Sequence, residues 1–115
     1  MKHLREYKSI EEDEKKLLTK CSSAIEEIDP SAEVILYGSR ARGDSVWESD
    51  YDLLILTEGN NSLKREDLFR SKLYPIEIET GAVLTVMLIR KEDWDSALYK
   101  AMPFYQNIER DGIIL

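Results

Sequence analysis

Two short apolar runs, residues 34–37 and 53–56, constrain the fold of this chain more than any other feature. Short apolar runs bounded by glycine and polar residues are typical of buried strands. They predict strands over Glu33–Tyr37 and residues 50–57. The second run is apolar on both faces, as expected for a strand in the middle of a sheet. We therefore expect a sheet built around this pair.

Asp50 and Asp52 open the second predicted strand. Alternate side chains of an extended strand share a face, so the two carboxylates are expected to project together while Tyr51 points the opposite way. Such a pair is unfavourable on its own, because like charges repel and their burial is costly. A divalent cation removes the repulsion, and oxygen ligands of this kind suit Mg²⁺, which also binds phosphate oxygens. The pair therefore predicts a metal site.

Gly38 and Ser39 follow the first predicted strand directly. A glycine at this point lets a phosphate approach the backbone, and a serine that opens a helical turn offers its hydroxyl and its N–H. Arg40 and Arg42 add positive charge beside them. A phosphate site next to a metal site indicates phosphoryl or nucleotidyl transfer.

The spacing of these residues, Gly38-Ser39, ten residues, then Asp50-x-Asp52, resembles the GS-x10-D-x-D signature of the polymerase-beta-type nucleotidyltransferase superfamily. The flanking sequences RARGD and SDYDL are similar to those of its small stand-alone branch, the minimal nucleotidyltransferases. Four fixed residues at this spacing should occur by chance in about one such chain per thousand. The resemblance therefore implies both a fold and an activity.

The implied activity is the transfer of a nucleoside monophosphate from a nucleoside triphosphate to a hydroxyl acceptor, with release of pyrophosphate. The resemblance implies Mg²⁺ or Mn²⁺ as the cofactor, with Asp50 and Asp52 as the catalytic and metal-binding residues. It also implies a triphosphate site made of four residues of the turn: Gly38, Ser39, Arg40 and Arg42.

One feature of the family is missing from the sequence. Members usually carry a third carboxylate on the next core strand, predicted here over residues 82–89, where Thr85 is the only polar residue. Glu77 or Glu79 can replace it only if residues 63–81 form a hairpin rather than the preferred helix. The missing acid leaves a second hypothesis open: a nucleotide-binding, antitoxin-like module that pairs with a helical HEPN-type protein.

Helical spacing predicts further elements along the chain. A helix is expected over residues 10–28, with Ser9 and Glu12 as a capping box, followed by a short helical turn over residues 39–43. Trp47, in the loop over residues 44–49, either stacks on a nucleobase or fixes the loop to the core. Within residues 63–81, Pro75 is expected to kink the helix.

The last part of the chain predicts two helices and a strand. The first helix is expected to present one apolar face, made of Trp94, Ala97, Leu98 and Ala101. A second helix is expected to start at Pro103, with a short strand over residues 113–115. Helices and strands alternate, so we expect one α/β or α+β domain over residues 1–115, a small mixed sheet flanked by helices.

Composition narrows the function classes. No apolar run reaches membrane-spanning length and no signal-type segment opens the chain, while the single Cys21 suits a reducing compartment, so a cytoplasmic location is expected. A net charge of −7 works against tight binding to a nucleic-acid backbone and favours a nucleoside triphosphate as the ligand. A domain this small leaves little surface for an acceptor site, so a helical HEPN-type partner or self-association is expected.

Overall fold

The computed structural model describes residues 1–8, 10–45 and 49–115. The strands are β1 (Lys2–His3), β2 (Glu33–Tyr37), β3 (Tyr51–Thr57), β4 (Leu84–Arg90) and β5 (Ile113–Ile114). The helices are α1 (Glu12–Ile28), α2 (Ser39–Arg42), α3 (Leu63–Thr80), α4 (Lys91–Trp94), α5 (Ala97–Lys100) and α6 (Pro103–Asp111), and one turn of 3₁₀ helix spans Leu4–Glu6. No helix in the described part of the chain is both long and apolar enough to cross a membrane.

The strands form one mixed sheet in the order β1-β5-β2-β3-β4. β2 runs antiparallel to both β3 and β5, whereas β3 and β4 are parallel, as are β1 and β5. A parallel pair needs a long connection, and α3 provides it between β3 and β4. The predicted fold class, a small mixed sheet flanked by helices, is therefore confirmed.

The sheet carries a separate apolar core on each face, because successive residues of a strand point to opposite sides. On one face Leu36, Leu53 and Ile55 pack with residues of α1 and α3. On the other face Ile35 and Leu54 pack with residues of α4 and α6, among them Trp94 and Ile108. The same alternation directs Tyr51 toward α1 and α3 and directs Asp52 toward the opposite face.

The first three predicted helices, near residues 10–28, 39–43 and 63–81, are present with small shifts in their ends. α1 begins at Glu12 and is preceded by Glu11, whose side chain forms no capping hydrogen bond. The predicted capping box depends on Ser9, which lies outside the described residues, as does Trp47. Residues 63–80 form one helix rather than a hairpin, and this helix contains Pro75 and ends at Gly81.

The predicted apolar face near residues 94–101 is wrong. Two helices of one turn each, α4 and α5, replace the single helix, and Leu98 is 74% exposed while Trp94 is buried. Ser96 causes the break, because its hydroxyl donates to the Asp93 carbonyl at 2.6 Å and accepts from the Tyr99 N–H at 3.3 Å. One serine side chain thus ends the first helix and caps the next.

The end of the chain folds as expected. α6 starts at Pro103 and turns Ile108 into the core, and β5 follows Gly112 directly. The two-residue strand β1 pairs with β5. No pattern in the sequence predicts this strand.

A buried polar cluster joins the end of α1 to β3 and α3. Thr57 donates to Asp29 Oδ2 at 2.6 Å, and Arg65 donates to the same oxygen at 2.9 Å and to the Thr57 hydroxyl at 2.6 Å. Burial raises the pKa of the Asp29 carboxyl, but hydrogen bonds from Thr57, Ser31 and Arg65 outweigh it and hold the pKa well below its ordinary value. The cluster lies at the opposite end of β3 from Asp52.

Candidate active site

Gly38 joins β2 to α2 and lies directly against Asp52. Its φ of 77° and ψ of −158° belong to a region that residues with a side chain rarely occupy. A Cβ added to Gly38 would lie 2.3 Å from Asp52 Oδ2, because β2 and β3 pair Tyr37 with Asp52. Only glycine therefore allows the two halves of the sequence motif to meet.

Thr85 holds the other oxygen of Asp52. Its hydroxyl donates to Asp52 Oδ1 at 2.6 Å, and the two residues are direct partners in the parallel pair β3–β4. Thr85 thus lies on the strand, and at the register, where the sequence predicts the third acid of the family. The pKa of the neighbouring Tyr37 hydroxyl is raised by burial and by the negative charge of Asp52.

Asp50 and Ser39 present polar groups that the described part of the chain leaves unused. Asp50 is exposed, precedes the first residue of β3 and forms no hydrogen bond or ion pair with a described residue. The Ser39 hydroxyl forms no hydrogen bond within residues 1–8, 10–45 and 49–115, while the Ser39 carbonyl accepts from the Gly43 N–H at 3.1 Å and closes α2. Both side chains can therefore bind a ligand.

The guanidinium of Arg40 forms hydrogen bonds within the protein. It donates to Glu14 Oε1 at 2.9 Å and, through two nitrogens, to the Ser49 carbonyl at 3.1 and 2.9 Å. It also lies over the ring of Tyr51, 4.3 Å from its centre, and its side chain is 11% exposed. These contacts are on the α1 face of the sheet, opposite to Asp52.

The hydroxyl of Tyr51 completes this group of contacts by donating to Glu14 Oε1 at 2.9 Å. Burial, together with the hydrogen bond to Glu14, raises the pKa of Tyr51 to about 12.

Arg42 lies on the α6 side of the turn, which is the face of the sheet to which Asp52 points. Its side chain is 47% exposed and donates to Asp44 Oδ2 at 3.2 Å. With Tyr37, Gly38 and Phe104, it lines a cavity of about 230 Å³ between α2 and α6. The two arginines of the turn are thus in different environments.

Neither Glu77 nor Glu79 supplies the missing acid. Both belong to α3, which covers the face opposite to Asp52. Glu77 accepts from the Leu84 N–H at 2.9 Å, and Glu79 pairs with Lys20 at 2.8 Å.

The donors suited to a divalent cation are the two motif aspartates. Within the described ranges, no three His, Cys, Asp or Glu side chains are grouped to bind a metal. Asp52 Oδ2 and the exposed carboxylate of Asp50 are hard oxygen donors, which fit Mg²⁺ or Mn²⁺ with water and phosphate oxygens as the other ligands.

The fold is a small α/β domain with one mixed sheet, in which Gly38 lies directly against the Asp52 carboxylate. The chain belongs to the nucleotidyltransferase domain family, whose model matches residues 18–109 and so includes the whole motif. It is similar to the crystal structure of a protein from Sulfolobus solfataricus, solved at 1.40 Å and assigned as a nucleotidyltransferase. That similarity has a TM-score of 0.49 and 20% identity, and covers 86% of this chain and 78% of that one. No curated protein matches the chain.

Sequence reasoning missed Glu14 and Ser49, which contact Arg40. Glu14 lies in a run of charged residues that is typical of a solvated helix face, and Ser49 contacts Arg40 through its backbone carbonyl oxygen. No local pattern distinguishes either residue.

Proposed function

We propose that this domain catalyses the metal-dependent transfer of a nucleoside monophosphate from a nucleoside triphosphate to a hydroxyl acceptor. The observation that carries the proposal is the contact between the Gly38 backbone and the Asp52 carboxylate. A phosphate that approaches Gly38 and Ser39 is then within reach of a cation bound to Asp52. Membership of the nucleotidyltransferase domain family supports the same reaction class.

The proposal gives each residue of the motif a role. Asp50 and Asp52 would hold Mg²⁺ or Mn²⁺, which neutralises the charge of the phosphates and aligns them. Ser39 donates its hydroxyl and N–H to a phosphate oxygen. Arg42, on the Asp52 side, adds positive charge, and Gly38 leaves room for the triphosphate. Positioning and charge neutralisation are the main sources of rate in such reactions.

Thr85 limits what the domain does alone. An alkyl hydroxyl is a poor base and a weak ligand of Mg²⁺ beside a carboxylate, so Thr85 orients Asp52 rather than activating the acceptor. The acceptor hydroxyl must lose its proton to water or to a group from another molecule. We therefore propose that a helical HEPN-type partner, or a second copy of this chain, presents the acceptor.

The same residue favours a second candidate function. With Thr85 in the position of the acid, the domain can bind a nucleotide without transferring it and act as an antitoxin-like module on a helical partner. Pyrophosphate release separates the two candidates, since only the enzyme produces it.

Thermal unfolding with Mg²⁺ and each ribonucleoside triphosphate in turn tests the site. A ligand at one hundred times its Kd stabilises the folded state by about 2.7 kcal/mol, so the wild type should shift clearly. The variant Asp50→Asn/Asp52→Asn should lose the shift. The control Asp67→Asn/Asp95→Asn, which removes two exposed carboxylates elsewhere, should keep it. If both double variants respond like the wild type, the metal and the nucleotide bind at another place.

A further inference from the structure

Arg40 contacts the chain on both sides of Asp50. The Ser49 carbonyl, which accepts from two nitrogens of Arg40, belongs to the peptide unit that ends at the Asp50 nitrogen. The ring of Tyr51, the residue after Asp50, lies under the same guanidinium. Arg40 therefore holds the residue before Asp50 and packs on the residue after it.

Asp50 needs such support because the sheet does not provide it. β3 begins at Tyr51, whose N–H donates to the Val83 carbonyl at 2.9 Å, so the first ladder bond comes after Asp50. The side chain of Asp50 is exposed. In the described chain, the hydrogen bonds from Arg40 to Ser49 fix the backbone on the other side of Asp50.

Glu14 fixes Arg40 in turn. Its carboxylate accepts from Arg40 and from the Tyr51 hydroxyl, both at 2.9 Å, and so ties α1 to the arginine and to the start of β3. The planar fork of an arginine can bond a carboxylate and a carbonyl at the same time, which a lysine cannot do equally well. The charge of Arg40 is already compensated by Glu14, which makes it a poor ligand for a triphosphate.

We propose that Arg40, held by Glu14, is a positioning residue that fixes Asp50 for metal binding and is not a ligand of the triphosphate. The proposal rests on the function proposed above and revises the role that the sequence predicts for Arg40. It separates the two arginines of the turn: Arg40 acts on the metal site through the backbone at Ser49, and Arg42 acts on the phosphates.

Two binding measurements test this separation, each made without the other ligand. Free Mn²⁺ is measured by electron paramagnetic resonance in a titration without nucleotide. Binding of a fluorescent ATP analogue is measured in EDTA, without metal. The variants are Arg40→Gln and, as the matched control from the same turn, Arg42→Gln.

The two variants are expected to weaken the binding of different ligands. Arg40→Gln should weaken Mn²⁺ binding by about 10–100-fold, the range for the loss of a group that orients a metal ligand, and change ATP-analogue binding less than about twofold. Arg42→Gln should weaken ATP-analogue binding and leave Mn²⁺ binding close to that of the wild type. Arg40→Lys should restore little of the Mn²⁺ affinity, because one ammonium cannot replace the fork.

Three results would overturn parts of the argument in different ways. If Arg40→Gln loses ATP-analogue binding and keeps Mn²⁺ binding, Arg40 is a phosphate ligand. If it keeps both, Arg40 does not position Asp50. If wild-type protein binds no Mn²⁺, the proposed metal-dependent function itself fails.

A second variant covers the case in which Arg40→Gln does not fold. Glu14→Gln keeps an oxygen acceptor for Tyr51 but removes the charge that holds Arg40. Glu14→Gln should lower the affinity for Mn²⁺ without lowering the affinity for the ATP analogue. Unchanged Mn²⁺ affinity in a folded Glu14→Gln protein contradicts the proposal.

Discussion

Replacing Gly38 with alanine tests the contact on which the site is built. The new methyl group meets two obstacles. The backbone at Gly38 has φ 77° and ψ −158°, where a residue with a Cβ is strained, and the Cβ itself would lie 2.3 Å from Asp52 Oδ2. Gly81→Ala is the matched control, because Gly81 also has a positive φ, 76°, but, apart from its own local backbone, no atom of the described residues lies within 4 Å of an added Cβ.

The magnitude follows from the two obstacles. The backbone conformation alone costs about 1–3 kcal/mol for a residue other than glycine. To clear the methyl group, the Asp52 carboxylate must move by about 1 Å, which breaks the 2.6 Å hydrogen bond from Thr85 and costs about 1.5–3 kcal/mol more. We expect Gly38→Ala to lower the free energy of unfolding by about 2.5–6 kcal/mol, against about 1–2 kcal/mol for Gly81→Ala.

Urea unfolding, followed by circular dichroism, gives the free energy of unfolding of Gly38→Ala and Gly81→Ala. The same two substitutions are then measured in an Asp52→Ala background. Without the carboxylate, only the backbone cost of Gly38→Ala should remain. The coupling energy between positions 38 and 52 should then be about 1.5–3 kcal/mol, whereas Gly81→Ala should cost the same in both backgrounds. If Gly38→Ala is additive with Asp52→Ala to within about 0.5 kcal/mol, the contact does not force glycine at this position.

Ser39→Ala should weaken nucleotide binding by about 0.5–1.5 kcal/mol in a calorimetric titration, because one hydrogen bond is lost, while the unfolding curve stays unchanged. A loss of stability at constant affinity would instead make Ser39 structural. Thr85→Asp should destabilise the metal-free protein, since it adds a third clustered negative charge beside Asp50 and Asp52. Saturating Mg²⁺ should recover much of this loss and raise pyrophosphate release; equal destabilisation with and without Mg²⁺, and no gain in turnover, would contradict the assigned position. Acid should unfold the protein partly through Asp29, whose pKa is lowered in the folded state by hydrogen bonds from Thr57, Ser31 and Arg65 that outweigh burial. Its contribution is complete above the unfolded pKa, about 4, and is lost as the pH falls below that value, so Asp29→Asn should flatten the decline in unfolding free energy below about pH 4. An unchanged slope would refute this role.

The sequence by itself determined the elements that form the site. The two apolar runs around the Gly38-Ser39 turn and the Asp50–Asp52 pair specify β2 and β3, because burial and strand periodicity are local properties. The absence of an acid in residues 82–89 was also visible, and the structure places Thr85 beside Asp52 as that pattern predicts. The helix at α3 was preferred over a hairpin because of the resemblance to similar domains, since both helical spacing and strand alternation are present in residues 63–81.

Only the tertiary structure decided what the neighbouring residues do. Arg40 and Arg42 are two positions apart in one short helix, yet one is enclosed by Glu14 and Tyr51 on the α1 face and the other borders the cavity beside α6. The break at Ser96 likewise comes from side-chain hydrogen bonds that apolar spacing does not reveal. The physical reason is the same in both cases. Periodicity gives the elements and their apolar faces, but the partner of a polar side chain depends on which distant element packs against it, and that is fixed only when the sheet and its two layers of helices are assembled.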